Sequence, residues 1–217
     1  MLKQDYFSVF RLPRKLAIDT AELQRRFYAL AREHHPDFHQ AAPPEELARV
    51  EATSALVNTA YRTLRDPIAR VDYLVRLEEG RETKEGAADN PKAGPALLQE
   101  MFEIQEALAE ARAETTSGTL DDATRGTLAG KREGLRARLR DEDGRLSGPL
   151  SARWDAAAPA ERAAVLAAFK EALATRAYLR TVIDDLGEAL GTEGRHGSAG
   201  AARTSGGMGG HVGAPRQ

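Results

Sequence analysis

His34-His35-Pro36-Asp37 interrupts a chain of 217 residues between two segments of helical periodicity, and its reading decides the fold. Upstream, Leu23, Phe27, Leu30 and His34 recur at spacings of three and four, which predicts a helix with one apolar face. Asp19 stands where an N-cap belongs and Glu22 follows three residues on, the pattern of a capping box. Arg25, Tyr28 and Arg32 fall on the opposite side, with Arg26 and Ala29 beside them, so the helix turns a basic face outward. Pro36 ends it, because the residue before a proline is driven out of the α region.

Downstream, Pro43-Pro44 opens the next helix, proline being tolerated in a first turn. Leu47, Val50, Ser54, Val57, Tyr61 and Leu64 form a seam for antiparallel packing against the first helix. Asp66-Pro67 repeats the cap-and-proline start and opens a short helix carrying Val71, Leu74 and Leu77. Ahead of the pair, residues 5–12 make a short element with Tyr6, Phe7 and Phe10, closed by Pro13. A proline corner that carries an imidazole and a carboxylate between such helices is a rigid turn suited to docking.

Residues 78–94, rich in Glu, Gly and Asn-Pro, read as a linker. After Pro95, Leu97, Met101, Ile104 and Leu108 make the core stripe of a further helix. Leu98 and Phe102 lie about 100–140° around it, ringed by Gln105, Glu106, Ala109 and Glu110. That off-core face is either a partner-binding patch or part of a wide apolar face covered by another helix. A helix dense in Lys and Arg is expected from about Thr119 to Asp141. Gly144, Gly148 and Pro149 are expected to break or kink it before a short piece ending near Trp154. Pro159 is expected to start the last long helix, through Leu166, Phe169, Leu173, Leu179, Ile183, Leu186 and Leu190. Period-two alternation is lacking, so no sheet is expected. Residues 191–217 repeat Gly with almost no large apolar groups and are expected to be disordered.

Composition narrows the chemistry. A net charge of -2 argues against a dedicated nucleic-acid binder; Lys131, Arg132, Arg136, Arg138 and Arg140 could contact phosphates, but a solvated basic helix paired with nearby acids is the commoner outcome. The absence of cysteine excludes disulfides, a thiolate metal site and a thiol nucleophile. His34, His35, Asp37 and His39 do not make a convincing metal site, because His34 falls on the apolar side and no second ligand cluster exists. Neither a nucleophile–base arrangement nor a phosphate-binding loop is present. The expectation is therefore a protein without cofactor or metal, not an enzyme. No apolar run approaches the roughly 20 residues of a membrane span, and no signal-peptide pattern opens the chain, so a soluble cytoplasmic protein is expected.

Asp5-Tyr6-Phe7, His35-Pro36-Asp37 and the run from Val57 to Pro67 together resemble a J domain. With Arg70-Val71-Asp72-Tyr73-Leu74, the resemblance narrows to the HscB family, J-type co-chaperones of iron–sulfur cluster assembly, and it covers about residues 4–190. It implies an all-α protein: a J domain at 1–77, a linker at 78–94, a three-helix bundle at 95–190 and a tail at 191–217. It implies docking on a DnaK/HscA-type chaperone ATPase through His35, Pro36 and Asp37, with Arg25, Arg26, Tyr28 and Arg32 as the basic face. It further implies that the bundle holds an IscU-type cluster scaffold through Leu98, Phe102, Glu103, Glu106 and Glu110, with Tyr178 as the aromatic on the last helix. Gln99 and the bulky Phe102 depart from the family pattern, and the Gly148-Pro149 region looks like an insertion in its bundle. A general J-domain co-chaperone, with another client or a dimerisation bundle, is the alternative.

Overall fold

The computed structural model describes residues 5–40, 42–80, 99–100, 102–107, 109 and 121–191. Every regular element among them is helical. In chain order these are α1 (Tyr6–Val9), α2 (Thr20–Glu33), a 3-10 turn (Pro36–His39), α3 (Pro44–Arg65) and α4 (Pro67–Glu78). Then follow α5 (Asp122–Arg145), a π-helical turn (Leu146–Leu150), α6 (Ser151–Ala156) and α7 (Arg162–Ala189). Residues 99–100, 102–107 and 109 are helical as well. Leu97, Leu98, Met101, Leu108, Glu110, linker residues 81–94 and tail residues 192–217 lie outside the described residues.

Local chemistry accounts for the helix ends. Asp5 caps α1 by accepting from the Ser8 backbone N–H at 2.9 Å, and Arg14 Nε donates to its other oxygen at 2.8 Å. Asp19 caps α2 through Ala21 and Glu22, and Asp66 caps α4 through Ala69. Such caps contribute about 1 kcal/mol each. Glu22, at the far position of the expected capping box, turns instead to Arg25 and Arg26. The α2–α3 hairpin is sealed by Leu23, Val57, Ala60 and Leu64 and by Phe27 stacked on Tyr61 at 4.0 Å between ring centres. Tyr6 stacks on Tyr73 at 4.2 Å, and the Tyr73 hydroxyl accepts from the Tyr6 N–H, which ties α1 to α4.

Gly148 and Pro149 interrupt the α-helix where expected, as a π turn between α5 and the short α6 rather than as a loop. Proline removes a backbone donor and crowds the preceding turn, and the wider turn relieves both. The Leu146 carbonyl is satisfied by the Ser151 hydroxyl at 2.6 Å. The last long helix starts at Arg162 rather than Pro159, because residues 159–161 form a turn before it.

The core crosses the expected linker. One continuous cluster joins Phe7, Phe10, Leu16, Leu23 and Leu74 of the N-terminal helices to Leu146, Leu150, Trp154, Val165 and Phe169. Its polar rim is equally specific. The Asp155 carboxylate accepts from the backbone N–H groups of Leu16 and Ala17 at 2.8 and 2.7 Å, across 139 and 138 residues. Lys170 pairs with Glu79 at 2.7 Å. Arg70, nearly fully buried, donates to the carbonyls of Leu64 and Leu16. Burial disfavours its charged form, and the nearby Asp66 and Asp155 carboxylates oppose that effect. A second cluster, Ile104, Leu128, Leu135, Leu179, Val182, Ile183, Leu186 and Leu190, fills the far half of the bundle. The last long helix, α7, thus serves two cores, through Val165 and Phe169 at one end and Leu179 to Leu186 at the other.

Candidate functional site

The His35-Pro36-Asp37 corner is built by its own backbone. Pro36 occupies the first position of the 3-10 turn, and His35 caps that turn: its Nδ1 accepts from the Asp37 N–H at 3.2 Å. With Nδ1 accepting, Nε2 is the nitrogen left to donate. The Asp37 carboxylate stands 3.7 Å from Nδ1 and is exposed, as is the imidazole. The far end of the turn is tied back to α2 by His39 Nε2, 3.0 Å from the Glu33 carbonyl. Polar groups held in place but open to solvent can bind a partner without first being ordered.

Beside the corner, Arg25, Tyr28 and Arg32 are exposed on α2, as their spacing predicted. Arg25 pairs with Glu22, and the Tyr28 hydroxyl accepts from Gln24 at 3.2 Å. Arg26 has a different role. Its guanidinium donates to the carbonyls of Phe10 and Arg11 at 2.6 and 2.9 Å while bonding Glu22 at 2.7 Å. It holds the chain where Arg11 takes a left-handed φ of 51°, a conformation that few non-glycine residues adopt. Arg26 is therefore a staple between α1 and α2 and only half open to solvent.

On the bundle, Ile104 is buried while Phe102 is 73% exposed, with Glu103 and Glu106 exposed beside it. This bears on the choice left open by the sequence: no helix among the described residues covers Phe102. Leu98 and Glu110 fall outside the described residues. Tyr178 departs from expectation. It is half-buried and packs against the bundle core, and its enclosed hydroxyl has no hydrogen-bond partner. Desolvation, reinforced by Glu100, raises its pKa, and Arg138 opposes the shift. The structure brings Phe102, Glu103 and Glu106 together on one face and turns Tyr178 largely inward.

The arginine-rich helix α5 spends its charge internally: Arg132 is buried, Arg138 pairs with Glu100, and Arg140 pairs with Glu133. Among the described residues no group of three His, Cys, Asp or Glu side chains is placed to hold a metal ion. Among the same residues no helix is long and apolar enough to cross a membrane.

Residues 5–73 match the DnaJ domain family. The co-chaperone protein HscB homolog of Burkholderia multivorans is 36% identical over 138 residues, which are 64% of this chain and 75% of the relative. The chain belongs to the HscB co-chaperone family. The mouse iron-sulfur cluster co-chaperone protein HscB is 37% identical over 122 residues, 56% of this chain and 51% of the mouse protein. Human co-chaperone protein HscB superposes with a TM-score of 0.59 at 26% identity, over 86% of this chain and 82% of the human chain. Vibrio cholerae chaperone HscB shares the fold, with a TM-score of 0.56 at 22% identity over 85% of this chain and 96% of that one. The all-α HscB architecture and the J domain are thus those of this chain. Sequence reasoning passed over Phe38 and Asp155 and weighed His39 only as a metal ligand. A lone aromatic or acid in a loop or short helix has no periodicity to reveal it; adjacency to the His-Pro-Asp corner was the signal available for Phe38.

Proposed function

We propose that this HscB-family protein stimulates ATP hydrolysis by a DnaK/HscA-type chaperone and delivers an IscU-type iron–sulfur scaffold to it, promoting cluster transfer to acceptor proteins. The observation that carries the reading is the exposed, pinned His35-Pro36-Asp37 corner within a matched DnaJ domain. His35, Pro36 and Asp37 supply the docking corner, and Arg25, Tyr28 and Arg32 steer an acidic surface toward it. Arg26 supports this face from behind. The scaffold face is Leu98, Phe102, Glu103, Glu106 and Glu110, with Tyr178 lending its ring edge. Residues 1–77 act as the J domain, 78–94 as the connection and 95–190 as the scaffold-binding bundle.

The protein itself performs no covalent chemistry in this scheme. It holds client and ATPase on one body, so each weak contact raises the effective concentration for the other. Single-turnover ATP hydrolysis by the chaperone tests it. The wild type should accelerate turnover, and His35→Gln should return the rate to the unstimulated level with unchanged thermal stability, since the imidazole is exposed. Equal stimulation by both proteins sinks the proposal.

A further inference from the structure

Phe38 follows the corner immediately and is 72% exposed. Isolated surface apolar residues are common and carry no message by themselves. Three features set this one apart. Its ring meets His35 edge-on at 5.8 Å between centroids, with 64° between the planes, so it borders the imidazole that the chaperone is to engage. Its backbone N–H donates to the His35 carbonyl at 3.0 Å, inside a turn held at one end by Pro36 and at the other by the His39–Glu33 contact. Finally, Phe38 belongs to neither buried cluster, so the protein's own core makes no use of it.

We infer that Phe38 is an apolar anchor for the chaperone ATPase, inserted into a recess beside the groups that bind His35 and Asp37. This rests on the reading of the corner as the ATPase-docking element. Its physical content is a division of labour. The polar corner fixes orientation and transmits the stimulus, the arginines govern encounter, and the aromatic ring supplies affinity by leaving water. A ring whose backbone is already ordered pays little on binding, which is how a single aromatic becomes a dominant contact. The occupant is the chaperone rather than the scaffold, because Phe38 is contiguous with the corner while the proposed scaffold face lies on the bundle.

Titration of chaperone ATPase stimulation with the full-length protein tests this. Phe38→Ala should raise the concentration for half-maximal stimulation about tenfold while leaving the plateau unchanged, and Phe38→Leu should recover most of the loss. Because the lost contact is apolar, the penalty should persist at raised ionic strength. A penalty from Arg25→Ala/Arg32→Ala should shrink there, since salt screens it. Thermal melting of Phe38→Ala should match the wild type. His35→Gln, run in parallel, lowers the plateau and so reports on the docking element itself. A Phe38→Ala titration superimposable on the wild type overturns the inference while the His35 result stands. A plateau lowered as in His35→Gln overturns the anchor role, and a defect confined to scaffold binding or self-association assigns the ring to another partner. Absence of stimulation by the wild type removes both this inference and the function beneath it.

Discussion

The His-Pro-Asp corner and the Phe102 face are both exposed, but they are specified over different distances. The corner is completed between Glu33 and His39, by a proline, two ring nitrogens and backbone groups of the same turn. The Phe102 face depends on which way a helix rolls, set by Ile104 entering a core built with Leu128, Leu135 and Leu179 from remote stretches. A motif read along the chain therefore carries the geometry of the first and only the composition of the second. Between them lies the junction at Asp155, Arg70 and Trp154, which makes one body of the two.

The sharpest way to break that comparison is at the junction. Asp155→Ala strips the acceptors from the Leu16 and Ala17 N–H groups. Leu16 is buried, so its orphaned donor costs about 1–3 kcal/mol, and Arg70 loses a balancing carboxylate. We expect a lower melting temperature and faster amide exchange at Leu16 and Ala17, with a smaller loss for Asp155→Asn, which keeps one acceptor. If the N-terminal helices were independent of the bundle, exchange there would not change. Stimulation of ATP hydrolysis by the surviving folded fraction should remain, because the corner is locally built.

This junction also shows where reading the sequence stops. The J-domain helices were legible because Asp19, Asp66 and the prolines announce their ends and Leu23, Val57 and Leu64 repeat at helical spacing. Asp155 gave no such signal, since its partners are backbone N–H groups 138 and 139 residues away. Pro149 marked the place of the interruption but not its form. Its local preference is to end a helix, but Leu146, Leu150 and Trp154 all enter the shared core, and that burial sustains the helix through a π turn. The basic cluster on α5 is the opposite case: a helix paired with nearby acids was the commoner reading, and the fold supplies the partners, Glu100 for Arg138 and Glu133 for Arg140. The angle of Phe102 to Ile104 placed it off the core stripe, but its exposure, like the inward turn of Tyr178, required the packed bundle.

A second, smaller test separates the two aromatics of the proposed scaffold face. Phe102→Ala removes an exposed ring, so stability should stay within about ±0.5 kcal/mol while scaffold affinity drops roughly tenfold. Tyr178→Phe deletes an enclosed hydroxyl without a partner, so the protein should be equally or slightly more stable with scaffold affinity kept. Calorimetric titration with the scaffold alongside thermal melts measures both. Affinity unchanged by Phe102→Ala, with a loss on Tyr178→Phe, would shift the client face toward α7.

The smallest expected effect concerns pH at the base of the docking helix. Hydrogen bonds from Arg25, then Arg26, hold the Glu22 carboxyl below its ordinary value of 4.5. A depressed folded-state pKa means that the unfolded chain takes up the proton first as pH falls. The contribution of Glu22 is therefore complete above the ordinary value and is lost as pH drops through the lower folded one. Nothing from this group should change between neutrality and about pH 5. Below that, protonation loosens Arg25 at the surface and Arg26 at its Phe10 and Arg11 carbonyls. NMR titration of the Glu22 side chain should give a midpoint below 4.5, and Arg25→Gln/Arg26→Gln should move that midpoint back up toward the ordinary value while leaving the corner's resonances near His35 unmoved. Movement of both together would mean that the corner leans on α2's charge network, and that its geometry is less local than its hydrogen bonds imply.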